Sequence, residues 1–267
     1  MNLLDGKRLL ITGVVTTDSI AFATAAAALA HGAEIVLTSF ERDLERATEA
    51  ATQLGGGVEV LDLDVTEPSH FDRLATQLDE RWGGLDGALH AVAFAPRAAL
   101  AGDFLSADPV ATQQAFHTSA HSYASLAAVL ARLAPPSGGS IVGLDFDAAG
   151  AWPVYNWMGV CKAALEAVNR YAARDLGPSA IRSNLVAAGP LHTRAAGGIP
   201  DFDQLTSAWD ARSPMRWDAH DPAPVADAVC FLLSDLSRAI TGEIIHVDGG
   251  YHAMASGLDR PWNLPPA

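Results

Sequence analysis

Residues 8–38 read RLLITGVVTTDSIAFATAAAALAHGAEIVLT, two short apolar runs on either side of a long alanine-rich run. The outer runs, 8–12 and 34–38, have the length and β-branched content of strands. The run between them, 19–31, is long enough for a helix, and Gly32 follows it as a helix terminator. This order predicts two parallel strands joined by a helical crossover.

The same alternation continues along the chain. Further strands are predicted at 58–62, 87–92, 139–144, 182–186 and 243–247, with helical patterns between them. Nearly continuous apolar strands are typical of a parallel sheet covered on both faces, and right-handed crossovers make such a sheet doubly wound. No linker or repeat interrupts the pattern. The sequence therefore predicts one α/β domain over residues 1–267, a Rossmann-type sheet with helices on both faces.

Composition narrows the possible functions. Of the 267 residues, 49% are hydrophobic and 18% are charged, which supports a large core and excludes intrinsic disorder. The net charge of -14 argues against nucleic acid and against an anionic membrane surface as partners. The start has no signal-peptide pattern and no run reaches the roughly 18 to 20 apolar residues of a membrane span, so we expect a cytoplasmic protein. Cys161 and Cys230 are expected to be buried thiols.

The turn after the first strand is a candidate dinucleotide site, because ligands of such sheets bind beyond the carboxyl ends of the strands. Gly13 permits a tight turn, and Ser19-Ile20 begins a helix whose free N–H groups could hold a pyrophosphate. The segment departs from G-x-G-x-x-G, since Ser19 and Ala21 occupy the later glycine positions. Taken alone, it fits an ordinary strand–turn–helix equally well.

The ends of strands two and three indicate which dinucleotide binds. A 2′-phosphate would require a cation after strand two, but the chain has Phe40 and Glu41 there. This favours NADH, although Arg42 could still accommodate NADPH. Asp64-Val65 could contact the adenine, and Asp64 could also cap a helix.

The most informative stretch is PVYNWMGVCKAALE at 153–166. If Tyr155 and Lys162 lie on one helix, seven residues make nearly two turns, so both face the same way about 10 Å apart. Short-chain dehydrogenases that reduce carbonyls usually place this pair four residues apart, and here that position is Met158, which has no proton to give. In conjugate reduction the negative charge develops farther from the carbon that receives hydride, which fits the longer spacing. A carbonyl reductase, a dinucleotide-binding protein without catalysis, and a chance pairing remain alternatives.

Several motifs together carry a family resemblance: residues 3–8, 18–22, 144–147, 155–158, 182–190 and 247–250. With them the chain resembles the bacterial enoyl-acyl-carrier-protein reductases, a divergent branch of the short-chain dehydrogenase/reductase superfamily, and most of all their mycobacterial members. The resemblance covers essentially the whole chain. It implies reduction of the 2,3 double bond of a trans-2-enoyl thioester by NADH in fatty-acid biosynthesis. The acyl group would be carried by acyl carrier protein or coenzyme A, and the enzyme would be a homotetramer.

The resemblance also implies a role for each matching residue. Tyr155 would hydrogen-bond the thioester carbonyl, Lys162 would hold the nicotinamide ribose, and Phe146 would lie beside nicotinamide and substrate. Trp157 and Met158 would line the acyl pocket, although core packing is an alternative for Trp157. The remaining cofactor contacts would be Gly13, Ser19, Ile20, Phe40, Asp64, Val65, Val92, Ala93, Thr118, Gly189, Pro190, Leu191 and Thr193.

The chain departs from the family pattern in two places. Residues 91–94 read Ala-Val-Ala-Phe where the family has Ser-Ile-Gly-Phe, so Ala93 is expected to crowd a close cofactor approach. The expected substrate-binding segment, about 193–217, is shorter than in mycobacterial members, which leaves the preferred acyl length open. Three arginines in this region, Arg194, Arg212 and Arg216, could dock an acidic carrier or merely aid solubility.

Two further features are weaker. His117 and His121 have the spacing of a helical metal site, but no third ligand accompanies them, so we predict no metal and expect interface or surface histidines. The proline-rich residues 258–267 could be disordered or cover a neighbouring subunit.

Overall fold

The computed structural model describes residues 2–199 and 201–255, so the proline-rich residues 258–267 lie outside the described part. Its seven strands are β1 (Arg8–Thr12), β2 (Glu34–Ser39), β3 (Glu59–Asp62), β4 (Gly87–His90), β5 (Gly139–Asp145), β6 (Ile181–Ala188) and β7 (Ile244–Val247). The α-helices are α1 (Ile20–Ala30), α2 (Leu44–Thr52), α3 (Pro68–Trp82), α4 (Arg97–Leu100), α5 (Pro109–Phe116), α6 (Ser122–Leu133), α7 (Asn156–Leu176), α8 (Phe202–Arg212) and α9 (Ala223–Leu233).

All seven strands pair in parallel in one sheet, in the order β3-β2-β1-β4-β5-β6-β7. One apolar cluster packs α1 and α9 against one face, and a second packs α3, α6 and α7 against the other. The predicted doubly wound parallel sheet with helices on both faces is confirmed. The strand order reverses between β1 and β4, which creates a crevice at the carboxyl edge between these strands.

Strand β4 is shorter than predicted, ending at His90 rather than at residue 92. The next amide, Ala91 N–H, donates to the Thr12 hydroxyl at 3.1 Å instead of to a neighbouring strand. The same hydroxyl donates to the Leu89 carbonyl at 2.9 Å. One buried side chain thus ends the strand and turns the chain into the loop that borders the crevice.

Cys161 and Cys230 are both buried free thiols, as predicted. Across the described ranges, no helix combines the length and apolar character needed to cross a membrane.

Candidate active site

A cavity of about 1060 Å³ opens at the carboxyl edge of the sheet. Residues that follow six of the strands line it: Gly13 after β1, Phe40 after β2, Asp64 after β3, Ala91 after β4, Phe146 after β5 and Gly189 after β6. Such a position is where doubly wound sheets bind their ligands.

The structure brings nearly all of the predicted site residues to this one cavity. The catalytic candidates Tyr155, Lys162 and Phe146 line it, as does Met158. So do all of the predicted cofactor contacts: Gly13, Ser19, Ile20, Phe40, Asp64, Val65, Val92, Ala93, Thr118, Gly189, Pro190, Leu191 and Thr193. Trp157 is the exception.

The turn after β1 brings two backbone segments close together at Gly13. Gly13 has a φ of +79°, and a Cβ at this position would lie 2.1 Å from the Ala91 carbonyl oxygen. Only glycine fits both the backbone conformation and the space. Ser19 caps α1 by accepting a hydrogen bond from Phe22 N–H at 3.0 Å, so the predicted helix start is confirmed. The first turn of α1 therefore presents its free N–H groups at the cavity edge.

Replacing Gly13 with alanine should lower the melting temperature and abolish NADH binding, because the new methyl group would push the turn away from Ala91. Gly55→Ala is the matched control, since Gly55 has a φ of +74° and a methyl group there would meet nothing within 4 Å. The control carries only the backbone penalty of about 1–2 kcal/mol. Calorimetric melting and NADH titration of both variants check this. Equal losses of stability with unchanged NADH affinity would refute the role assigned to the Gly13 contact.

The loop after β4 is held by a residue that the sequence analysis missed. The Ser119 hydroxyl accepts from Phe94 N–H and donates to the Phe94 carbonyl, both at 3.0 Å. Ser119 belongs to a π-helical turn, His117–His121, between α5 and α6. Such turns are frequent at functional sites, and here the turn places Thr118 on the cavity wall. The two histidines contact each other edge to face, with ring centroids 5.2 Å apart. No sequence motif marks the Ser119 contact, since it joins residues 25 positions apart.

The end of the cavity after β2, where the adenosine is expected, differs from the prediction in its acidic residue. A single 3-10 turn over Glu41–Asp43 follows β2, and it brings Arg42 and Asp43, not Glu41, to the cavity wall. The Arg42 guanidinium lies 5.0 Å from the centre of the Phe40 ring. Arg194 from the opposite loop pairs with Asp43 at 3.3 Å. The carboxylate at this end is therefore Asp43, already paired with arginine.

Asp64 follows β3 and orders its own turn. Its Oδ1 accepts from the Thr66 N–H at 2.8 Å and from the Thr66 hydroxyl at 2.7 Å. Helix α3 begins later, at Pro68, with Glu67 at its cap position, so Asp64 caps a turn and not the helix. Asp64 also lines the cavity, within reach of a ligand there.

Tyr155 lies just before α7 rather than within it, which corrects the prediction that Tyr155 and Lys162 share one helix. The helix begins at Asn156, and both Val154 and Asn156 have positive φ angles, of 61° and 36°. The Tyr155 ring packs against Phe146 with centroids 5.0 Å apart, and only 9% of the residue is exposed. Burial, with a smaller contribution from Asp145, raises the pKa of the Tyr155 phenol well above its usual range. The phenol therefore keeps its proton near neutral pH.

Lys162 is 5% exposed and donates from Nζ to the Leu144 carbonyl at 2.8 Å. Burial lowers the pKa of its ammonium group, and the nearby Asp145 carboxylate opposes that effect. Of the three ammonium protons, one is used by Leu144, which leaves the others for a ligand in the cavity.

Trp157 lies outside the cavity lining, so its predicted place in the acyl pocket is wrong. Its ring stacks on Phe104 with centroids 5.2 Å apart, and its Nε1 donates to the Phe104 carbonyl at 3.2 Å. Met158, by contrast, is 6% exposed and lines the cavity beside Tyr155.

The segment 193–217 covers one side of the cavity. The loop before α8 and the residues Phe202 and Leu205 of α8 line it. Trp209 of α8 stacks on Tyr251 with centroids 3.8 Å apart and contacts Trp152. This aromatic group was not foreseen, because its members are far apart in sequence. At the end of the segment, Trp217 Nε1 donates to the Pro190 carbonyl at 2.7 Å.

The three arginines of this region do not form one patch. Arg194 faces the cavity and pairs with Asp43, whereas Arg212 donates to the Tyr251 hydroxyl at 3.0 Å. Arg216 is exposed beside Met215, which is 84% exposed. The pairing of Arg194 with Asp43 partly offsets its charge, and the role of these arginines in docking an acidic carrier stays a prediction.

A parallel sheet of this order, with a buried tyrosine and lysine at its carboxyl edge, defines a dinucleotide-dependent oxidoreductase of the short-chain dehydrogenase/reductase type. The family model described as enoyl-(acyl carrier protein) reductase matches residues 13–252. The chain belongs to this family, which confirms the resemblance seen in its motifs.

Named relatives agree over nearly the whole chain. The NADH-dependent enoyl-(acyl carrier protein) reductase of Mycolicibacterium smegmatis is 43% identical over 262 residues, which cover 93% of this chain and 97% of that protein. The enzyme of the same name from Neisseria meningitidis is 40% identical, covering 96% and 98%. The one from Escherichia coli is 38% identical, covering 96% and 97%.

Proposed function

We propose that this chain reduces the 2,3 double bond of trans-2-enoyl thioesters with NADH, as a step of fatty-acid biosynthesis. The relatives named above carry this activity in their names, and they align over nearly the whole chain. The observation that carries the proposal for this chain is that a buried tyrosine, Tyr155, and a buried lysine, Lys162, line the wall of one large cavity.

The cavity fits a dinucleotide. Its floor at Gly13 admits no side chain, so a ligand can approach the backbone closely there. The N-terminus of α1 at Ser19-Ile20 offers free N–H groups for the pyrophosphate. Gly189 and Pro190, which follow β6, line the same cavity. Phe40 and Val65 would pack the adenine, and Lys162 would hold the nicotinamide ribose. When bound, NADH supplies the hydride that reaches the β carbon of the substrate.

Tyr155 would donate its hydrogen bond to the thioester oxygen, where negative charge develops as the β carbon accepts hydride. Within the described residues, no group accepts a hydrogen bond from the Tyr155 hydroxyl, so the donor is free for a ligand. Phe146 would pack between nicotinamide and substrate, since its ring already contacts that of Tyr155. Met158 and the α8 residues Phe202 and Leu205 would contact the acyl chain.

The proposal includes the physiological setting. We infer acyl carrier protein as the carrier of the substrate, with coenzyme A thioesters as alternative substrates in vitro. The active assembly would be a homotetramer acting in the cytoplasm. Residues 1–267 would form one domain in which segment 193–217 binds the substrate.

One assay tests the proposed reaction against its alternatives. NADH oxidation is followed with trans-2-enoyl thioesters of increasing chain length, on acyl carrier protein and on coenzyme A, and separately with ketones. We expect turnover of enoyl thioesters and none of ketones. Turnover of ketones alone would identify a carbonyl reductase. Binding of NADH without turnover of any of these substrates would indicate a non-catalytic dinucleotide-binding protein.

A further inference from the structure

Asp145 is a buried acid at the cavity that none of the steps above uses. It is the last residue of β5, is 5% exposed, and lines the cavity together with Lys162 and Tyr155. Both of its carboxylate oxygens are buried, and neither accepts a hydrogen bond of good geometry in the described part of the chain. The adjacent Phe146 N–H lowers the pKa of the carboxyl without meeting that geometry. A carboxylate without a hydrogen bond is costly to bury, so it either takes up a proton or depends on a nearby cation to offset its charge.

Lys162 is the cation that reaches the end of β5 where this carboxylate lies, although the two side chains form no direct ion pair in the described part of the chain. Its Nζ donates at 2.8 Å to the Leu144 carbonyl, which belongs to the peptide group that joins Leu144 to Asp145. Both side chains are about equally buried and both line the cavity wall. Without an opposite charge, a buried ammonium loses its proton more easily.

The other titratable groups around this pair carry no cationic charge. His90 of β4 is buried with Nε2 2.7 Å from the Ser122 hydroxyl, and burial, with a smaller contribution from Lys162, lowers its pKa to about 3, so it is neutral. Burial raises the pKa of the Cys161 thiol to about 11, and Tyr155 keeps its proton. Asp147, in the loop after β5, and Glu166, on α7, add negative charge from positions nearer the surface.

We propose that Asp145 is a positioning residue that keeps Lys162 in its ammonium form, and so maintains the group that anchors the nicotinamide ribose. This inference rests on the proposed function only for the role of Lys162 towards NADH. The charge coupling itself is a property of the free protein.

The opposite charges of Asp145 and Lys162 determine how each group changes the pKa of the other. Burial raises the pKa of Asp145 to about 7, and Lys162 opposes that rise. In return, Asp145 opposes the burial effect that lowers the pKa of Lys162. Because NADH needs the ammonium, its binding weakens as pH rises through the pKa of Lys162. Removing the Asp145 charge lowers that pKa further, so binding should weaken at a lower pH than in the wild type.

The pKa of Lys162 can be measured directly, because the chain contains only two lysines, Lys7 and Lys162. With lysine labelled at ¹³Cε, the NMR spectrum of the free protein has two resonances to follow against pH. In Asp145→Asn, the midpoint of the Lys162 resonance should fall by about one to three pH units, the usual effect of a close opposite charge. Lys7, half-buried and paired with Asp235 at 2.8 Å, is the internal reference and should not change.

NADH titration against pH provides the second measurement. Asp145→Asn should move the alkaline loss of NADH affinity to lower pH by the same interval, whereas Asp147→Asn, a neighbouring acid outside the cavity lining, should not. If Asp145→Asn does not fold, Asp145→Ala serves in its place. A Lys162 midpoint unchanged by either variant, or an affinity loss equal at every pH, would overturn the proposal. Because the NMR titration needs no substrate, it stands even if enoyl reduction is not observed.

Discussion

Tyr155→Phe should slow enoyl reduction by about 100- to 1000-fold, the usual cost of removing one donor to a developing oxyanion. The change deletes only the phenolic oxygen. The ring can keep its contact with Phe146, 5.0 Å away between centroids, so the fold should be unaffected. Since the hydroxyl is proposed to contact the substrate and not NADH, the loss should fall on kcat and leave the NADH dissociation constant unchanged. Steady-state kinetics with a trans-2-enoyl thioester and NADH titration measure the two effects.

Tyr171→Phe is the matched control for this variant, because Tyr171 lies on α7 but is 62% exposed and outside the cavity. It should behave as wild type. A Tyr155→Phe enzyme with wild-type kcat would remove Tyr155 from the mechanism. An equal loss in both variants would point to a general effect on α7.

Lys162→Met should weaken NADH binding by about 100-fold or more, since two charge-assisted hydrogen bonds of about 1.5–3 kcal/mol each would be lost. The unbranched methionine fills most of the buried volume, so the loss reports the ammonium rather than a cavity. In contrast to Tyr155→Phe, the defect should appear in the NADH dissociation constant itself. Fluorescence titration of NADH at neutral pH measures it directly.

Lys7→Met is the control, because Lys7 contributes only a surface ion pair with Asp235, worth little to stability. Its NADH affinity should equal that of the wild type. If Lys162→Met bound NADH as tightly as Lys7→Met, the lysine would not anchor the cofactor. Thermal melting of both proteins establishes that each is folded during the titration.

The sheet could be predicted from sequence because its strands are short apolar runs separated by helical patterns, a local signal. The sequence signals that predict the turn at Gly13 and the helix cap at Ser19 are equally local. By contrast, the end of β4 depends on the Thr12 hydroxyl, which bonds to residues 77 and 79 positions away. Hydrophobic periodicity carries no information about such a contact.

The wrong predictions at the active site, for Tyr155 and Trp157, also depend on structure that local sequence patterns do not reveal. The sequence pattern predicts Tyr155 within α7, because no residue type signals the positive φ angles of Val154 and Asn156 that delay the helix start. Trp157 packs on Phe104 instead of the cavity, a contact between residues 53 positions apart that no local pattern marks. Residue spacing predicted that a tyrosine and a lysine lie together at the active site. It did not predict which of the neighbouring side chains line the cavity.

The central claim is that hydride from NADH reaches the β carbon of an enoyl thioester held by Tyr155. Mass spectrometry of the product formed with NADH deuterated at both C4 positions tests this most directly. The claim predicts a saturated acyl thioester with one deuterium at C3. Deuterium on a carbinol carbon, or a thioester recovered with its double bond intact while NADH is consumed, would contradict it.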